Sequence, residues 1–345
     1  MKVTLILSIL SLVGSCATQK YSTKIDNLKN SIKLTDSSLV TRYANTITTQ
    51  DLSRHLYTFA SAAFEGREVG KPGQIKASGF LKDYYKSQGI LSPIQDSIYF
   101  QTIPGTYYSD PSSVTQNVLA YIKGSEKPDE VLIITAHLDH MGIKGNQIYY
   151  GADDNASGNV AIMEIAQAFK TASDHGYGPK RSLLFLHTSA EEIGLYGSKY
   201  YIENPVFELT KTVANLNIDM IGRVDYLHKN KNYIYLIGSD RLSKELHYLS
   251  EKVNQKYTQL ELDYKYNAEN DGNRYYYRSD HYNFALQNIP VIFYFNGEHP
   301  DYHKPTDTPD KIDFELLQTR TKLIFHTAWQ IANQEHRIEV DFQNY

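Results

Sequence analysis

The chain has 345 residues, 41% of them hydrophobic and 21% charged, the balance of an ordinary globular protein with length enough for a buried core. A net charge of −4 and a pI near 6.3, with no basic block, argue against a nucleic-acid partner. The 29 tyrosines suit strand and interface positions, with a wet hydroxyl end, and define no function.

In chain order, Met1-Lys2 is a short basic start and Val3 to Val13 a mostly apolar run. That run is too short to span a bilayer and has the form of a signal-peptide core. It ends in Leu12-Val13-Gly14-Ser15-Cys16, which resembles a bacterial lipoprotein signal. The resemblance implies removal of residues 1–15 and a lipid on Cys16. Cys16 is the chain's only cysteine, so it has no intrachain disulfide partner. The expectation is an exported chain, anchored by lipid to a bacterial membrane and facing the periplasm or cell surface, rather than a chain that spans the membrane. A plain secretory signal with an incidental cysteine is the alternative.

Residues 16–48, rich in Ser, Thr, Lys and Asn, read as a tether followed by a helix. Residues 49–335 read as one domain and residues 336–345 as a tail. Helices are predicted over 51–60 and 74–87, the second with Ile75, Phe80, Leu81 and Tyr84 toward the core and Gly89 as its stop. A Gly-rich loop, Phe64 to Gly73, joins them. Strands then alternate with helices. Strands are predicted over 117–122, 131–136, 183–186, 213–219, 233–237 and 290–295. Helices are predicted over 156–170, 194–203, 242–257 and 313–333. The apolar run Val131-Leu132-Ile133-Ile134-Thr135-Ala136 suits a strand covered on both faces. The pattern is α/β, with a mostly parallel sheet between helices.

Open α/β sheets bind ligands beyond the carboxyl ends of their strands. His137 and Asp139 follow the strand ending at Ala136. Glu191 and Glu192 follow the strand through Leu186, Asp219 closes another, and His303 lies after Phe295. Asp154 lies in the loop Gly151-Ala152-Asp153-Asp154-Asn155-Ala156-Ser157-Gly158, whose small residues let the backbone turn tightly. Singly, each has a plainer explanation: a polar cap, a solvated helix start or a surface turn. Jointly, those explanations require five segments to deliver polar groups to one rim by accident.

These segments resemble the M28 clan of zinc-dependent aminopeptidases, which have two co-catalytic metals. The resemblance spans roughly Phe64 to Asn333. It is carried by His137-Leu138-Asp139, Gly151 to Gly158, Glu191-Glu192-Ile193-Gly194-Leu195-Tyr196-Gly197-Ser198, Asn217-Ile218-Asp219-Met220-Ile221-Gly222 and His303-Lys304-Pro305-Thr306-Asp307-Thr308. It implies a single phosphorylase/hydrolase-like α/β domain, a peptide substrate and two Zn²⁺, although another divalent ion is compatible with the donors. Asp154 would bridge both metals, His137 and Asp219 would complete one site, and Glu192 and His303 the other. Glu191 would be the general base toward a metal-bound water, and Asp139 would orient His137. The family's peptide bond after the bridging aspartate is cis, which places a cis bond at Asp154–Asn155. Asp280, His281 and Tyr302 are candidates on the substrate side, and Asp280 or Glu298 for holding a free α-amine. His187 reads as a strand-end packing residue, while His140 and His299 have no assigned role.

Three other functions compete with an aminopeptidase. One is carboxypeptidase or dipeptidase action at the same centre. A glutaminyl cyclase on the same fold is disfavoured, because cyclases carry a tryptophan-bearing insertion after the paired glutamates and this chain's only tryptophan is Trp329. A non-enzymatic relative that has lost ligands is disfavoured by the full set of donors.

Overall fold

The computed structural model describes residues 22–95 and 97–341, so the signal segment and Cys16 lie outside the described residues. The helices in chain order are α1 (residues 22–31), α2 (Ser37–Ala44), α3 (Thr49–Phe59), α4 (Pro72–Ser87), α5 (Gly158–Asp174), α6 (Tyr196–Glu203), α7 (Lys244–Tyr257), α8 (His281–Ala285) and α9 (Phe314–Asn333). The strands are β1 (Phe100–Pro104), β2 (Val114–Ile122), β3 (Lys127–His137), β4 (Ile143–Lys144), β5 (Gln147–Ile148), β6 (Arg181–Thr188), β7 (Thr212–Ile218), β8 (Tyr233–Ile237), β9 (Glu261–Asp263) and β10 (Val291–Phe295).

Eight strands form one sheet in the order β1-β2-β6-β3-β7-β10-β8-β9, and β4 and β5 form a separate ribbon. The central four, β6-β3-β7-β10, run parallel. Their register is level: His137 lies opposite Thr188, Thr135 opposite Asn217, and Tyr294 opposite Ile218. Four carboxyl ends therefore share one rim.

Strand periodicity divides the core in two. Leu132, Ile134 and Ala136 of β3 point into a cluster with Leu183, Phe185, Leu216 and Ile292, under α2–α5, α7 and α9. Val131 and Ile133 point the other way, to Leu184, Leu186 and Phe293, with Tyr201 of α6 and Phe284 of α8. Both faces are covered, as the unbroken apolar run in β3 requires.

The packed domain extends beyond its expected ends. Val40, Tyr43, Ala44 and Ile47 are buried in the main core, and Ile32 joins them, so the helical segment expected after the tether packs as part of the domain. Each large apolar side chain so buried contributes about 1.5–3 kcal/mol, a sizeable fraction of a domain's stability of about 5–15 kcal/mol. At the other end Ile338 is buried, and Arg337 donates to the carbonyls of Thr210 and Thr212. The expected tail is thus docked through residue 341. In α4, Leu81 and Tyr84 are buried as expected, but Ile75 is 54% exposed. The expected Gly-rich loop holds a short 3₁₀ turn, Ala62–Arg67, that buries Phe64 and Arg67. Helix α5 starts at Gly158 rather than 156 because Asp154 and Asn155 have non-helical backbone angles. No helix among the described residues is long and apolar enough to cross a membrane.

Candidate metal centre and active site

The level rim brings together the side chains that the sequence singled out. His137 ends β3, and its Nε2 lies 3.2 Å from Asp154 Oδ1 and 3.3 Å from Asp219 Oδ1. On the other side of Asp154, Oδ2 lies 3.2 Å from His303 Nε2, which is 3.1 Å from Glu192 Oε2. The two oxygens of one carboxylate thus face two separate sets of donors. His137, Asp154 and Asp219 form one group whose donor atoms all lie within 4.8 Å of one another, a spacing that could hold a cation. A second such group contains Asp154, Glu192 and a residue without an assigned role, His140. All these donors are imidazole nitrogens and carboxylate oxygens with no thiolate, and all but the buried His140 line an accessible cleft, which fits a catalytic metal pair.

The loop carrying Asp154 is fixed from behind. Gly151 has φ +54°, and a Cβ there would fall 2.6 Å from the His140 ring and 2.1 Å from the Asp154 carbonyl oxygen. Only glycine suits that left-handed, crowded position. The backbone N–H groups of Asp153 and Asp154 both donate to Asp307, at 3.0 and 3.1 Å. Asp153 in turn accepts from Gly222 N–H at 2.6 Å, and its other oxygen faces His299 Nε2 at 3.3 Å. The Asp154–Asn155 peptide is cis, as the resemblance implied. Asn155 then donates to the Ile218 carbonyl and accepts from Gly158 and Met220 N–H, tying the loop to the end of β7.

Arg67 secures the same loop from the opposite side. Its fully buried guanidinium donates to the carbonyls of Leu138 (2.9 Å), Tyr150 (2.8 Å), Gly151 (2.9 Å) and Phe59 (3.1 Å). Burial brings its pKa down to about 10, opposed by the site's acids, Asp154 first. His187 packs as expected: it bonds Tyr85 and Asn159, both at 2.6 Å, and burial lowers its pKa to about 3. Asn159 continues that network by donating to the carbonyls of His137 and Asn155.

Asp139 differs in detail from its expected role. The Nδ1 of His137 lies 3.1 Å from the Asp139 carbonyl and 3.9 Å from its carboxylate. The carboxylate instead accepts the backbone N–H groups of Glu191 (3.1 Å) and Glu192 (3.3 Å). It therefore aligns the paired glutamates, while the carbonyl orients His137. Burial pushes the Asp139 carboxyl up to about 7, against the pull of His137.

The electrostatics follow from so many acids in one place. Burial alone would raise the Asp154 carboxyl, but His140, His137 and His303 outweigh it and hold it well below the usual range. Burial and Asp154 push Glu192 up, but His140 and His303 prevail and bring it to about 2. Glu191 has fewer compensating partners. Burial raises it well above the usual range; His137 opposes this, while Asp219 and Glu192 reinforce it. Burial opposes the charged form of His137 too, yet Asp219 and Glu191 raise it well above its ordinary value. The cluster calls for positive charge, which divalent cations supply.

The cleft beside these groups is lined by Met220, Tyr275, Phe293 and Phe295, with Arg278, Glu298 and Tyr302 also facing it. Tyr302 stacks on His303, ring centroids 3.9 Å apart, and its hydroxyl lies 3.3 Å from an Arg278 nitrogen. Glu298 pairs with the same guanidinium at 3.3 Å. Asp280 and His281 do not reach the cleft, and both are fully buried. Asp280 accepts from the Thr188 hydroxyl beneath the site, and burial raises its pKa. His281 stacks on Phe293 at 4.8 Å, with its pKa lowered to about 3 by burial. The substrate-side expectation for these two is therefore corrected: both side chains turn inward, Asp280 to Thr188 and His281, at the start of α8, to Phe293.

Residues 117–328, more than half of the chain, match the model of peptidase family M28. Leupeptin-inactivating enzyme 1 of Streptomyces exfoliatus is 30% identical over 250 residues, 72% of this chain but 48% of that enzyme, so the chain spans about half of its length. Among solved structures, the LapA aminopeptidase of Legionella pneumophila has a TM-score of 0.68 at 20% identity, covering 88% of this chain and 76% of the other. BSAP, a zinc aminopeptidase from Bacillus subtilis, has a TM-score of 0.63 at 15% identity, covering 84% and 96%. The rim of acids and histidines on a mostly parallel sheet offers a set of donors for metal ions. The chain belongs to peptidase family M28.

Proposed function

We propose that the chain is a two-zinc aminopeptidase that releases residues from the free amino end of peptides. The observation that carries this reading is the division of Asp154, with Oδ1 facing His137 and Oδ2 facing His303, so that one carboxylate serves two donor groups. His137 and Asp219 would complete one site, and Glu192 and His303 the other. Zinc held there would polarise the scissile carbonyl and make water acidic enough to attack near neutral pH. The chain's residues supply the rest. Of the carboxylates lining the cleft, only Glu191 and Glu298 fall outside both donor groups. Glu191 lies beside the cluster, its backbone held by Asp139, and takes the proton from the attacking water and returns it to the departing amine. Glu298, at the Arg278 end of the cleft, meets the substrate's α-ammonium, a role that buried Asp280 cannot fill. The wall of Met220, Tyr275, Phe293 and Phe295 receives the first side chain.

A matched peptide pair tests the direction of attack. Acetylating the N-terminus removes the charge that Glu298 would hold, and should cut kcat/KM by at least about 10²-fold. Equal rates, or release from the carboxyl end, would overturn the aminopeptidase reading and leave the metal hydrolase standing. Export with a lipid on Cys16 is proposed from the sequence alone. Cys16→Ser should lose the membrane-bound fraction, and a mature terminus elsewhere without acyl mass would refute the anchor.

A further inference from the structure

His140 follows the His137-Leu138-Asp139 segment directly, and its side chain is fully buried beside the donor groups. Its Nδ1 lies 2.6 Å from Glu192 Oε1, the shortest approach of any histidine to a carboxylate in the cluster, and 3.7 Å from Asp154 Oδ2. Its other nitrogen, Nε2, is buried without a hydrogen-bond partner. The ring is held firmly: Gly151 lies against it, its backbone N–H donates to the Arg67 carbonyl at 3.2 Å, and His303 meets it at a steep angle with centroids 5.9 Å apart.

The neighbouring residue acts on the same glutamate. Asp139 Oδ2 accepts the Glu192 backbone N–H at 3.3 Å. Two consecutive residues thus grip Glu192 at both ends, Asp139 at the main chain and His140 at the carboxylate. With Oε1 engaged by the imidazole, Oε2 remains to face His303 at 3.1 Å. A glutamate has three side-chain torsions to fix, so a hydrogen bond at its tip selects one geometry from several.

We propose that His140 is a positioning residue: its Nδ1–H donates to Glu192 Oε1 and presents Oε2 to the second metal. The imidazole is not itself a ligand on this assignment. An Nδ1–H tautomer also leaves Nε2 as a bare lone pair, which avoids burying an N–H donor without an acceptor. The proposal rests on the two-zinc reading and adds to it the source of affinity at one of the two sites. Partners of this kind are typically worth about 10–100-fold in metal affinity.

The test compares His140→Asn with His140→Leu in the full chain. The amide nitrogen of Asn can donate from nearly the place of Nδ1, whereas Leu fills the space without a donor. Zinc titration against a chelating dye should show about two sites in the wild type. The weaker-binding step should be lost by about 10–100-fold in the Leu variant and largely retained in the Asn variant. A wild type that binds one zinc removes the two-metal reading and the proposal with it. Two wild-type sites with an unaffected Leu variant overturn the proposal alone. An Asn variant as weak as the Leu variant makes the ring itself a ligand and also overturns it. A readout independent of either variant's folding is the imidazole ¹⁵N NMR spectrum of the zinc-loaded wild type. A protonated His140 Nδ1 supports the assignment, and a metal-bound shift at that nitrogen refutes it.

Discussion

The two rims of the sheet carry charge in opposite ways. At the rim where the central strands begin, cations are paired off one by one. Arg181 opens β6, meets Glu130 and donates to the carbonyls of Ile331 and Gln334. Arg337 donates to the carbonyls of Thr210 and Thr212, and Lys180 pairs with Glu335 and Glu126. At the rim where the strands end, Asp139, Asp153, Asp154, Glu191, Glu192, Asp219, Asp280 and Asp307 crowd together. Arg67 and Arg223 are the guanidinium groups among them, and the rings of His137, His140, His299 and His303 face their oxygens. Two like charges 4 Å apart repel by about 4 kcal/mol at an effective dielectric of about 20, so the second arrangement is costly and the first is not. Charge that serves packing is neutralised locally. Charge gathered beyond what local cations offset prepares a place for ligands.

The largest expected effect breaks the costly rim. Glu191→Gln keeps the size of the side chain but removes the proposed base, and kcat should fall by about 10²–10⁴-fold. Zinc content, measured by elemental analysis, should not change, because Glu191 belongs to neither donor group. A wild-type kcat in this variant would place the base elsewhere. A smaller effect is expected at the paired rim. Arg181→Met should cost about 1–3 kcal/mol in urea unfolding, because the carbonyls of Ile331 and Gln334 lose a buried donor. Its kcat should match the wild type, and a parallel fall in turnover would show that the rims are not separate in function.

Much of this was legible in the sequence, and what was missed has a physical pattern. Strands announce themselves by apolar runs, His137, Glu191, Glu192, Asp219 and His303 by their place after those runs, and Asp154 by its loop of small residues. The structure gathers all six. Asp280 and His281 do not reach the cleft, because a sequence shows that residues are near a site, not which way their side chains turn. His140 was visible beside Asp139 without a role, since its partner Glu192 is 52 positions away. Nothing in the sequence marks Arg67. Its partners are main-chain carbonyls, which any residue type offers, so no side-chain pattern marks the far ends of its bonds. The ends of the domain were misjudged for a related reason. The polar composition of residues 16–48 masks the few apolar positions, Val40, Tyr43 and Ile47, that hold the segment down.

Arg67 also separates what is recognisable from what is self-sufficient. The stretch that matches the family begins at residue 117, and every side chain facing the two donor groups lies inside it. The guanidinium that holds the Leu138 and Gly151 carbonyls in place comes from 71 and 84 positions upstream of them. A fragment trimmed to the matching boundaries would keep every donor and lose the clamp that joins their two loops. It would also shed α2 and α3, whose buried faces complete the main core. For anyone transplanting or dissecting this centre, the portable unit is therefore set by where Arg67 and its helices are anchored, not by where family likeness starts.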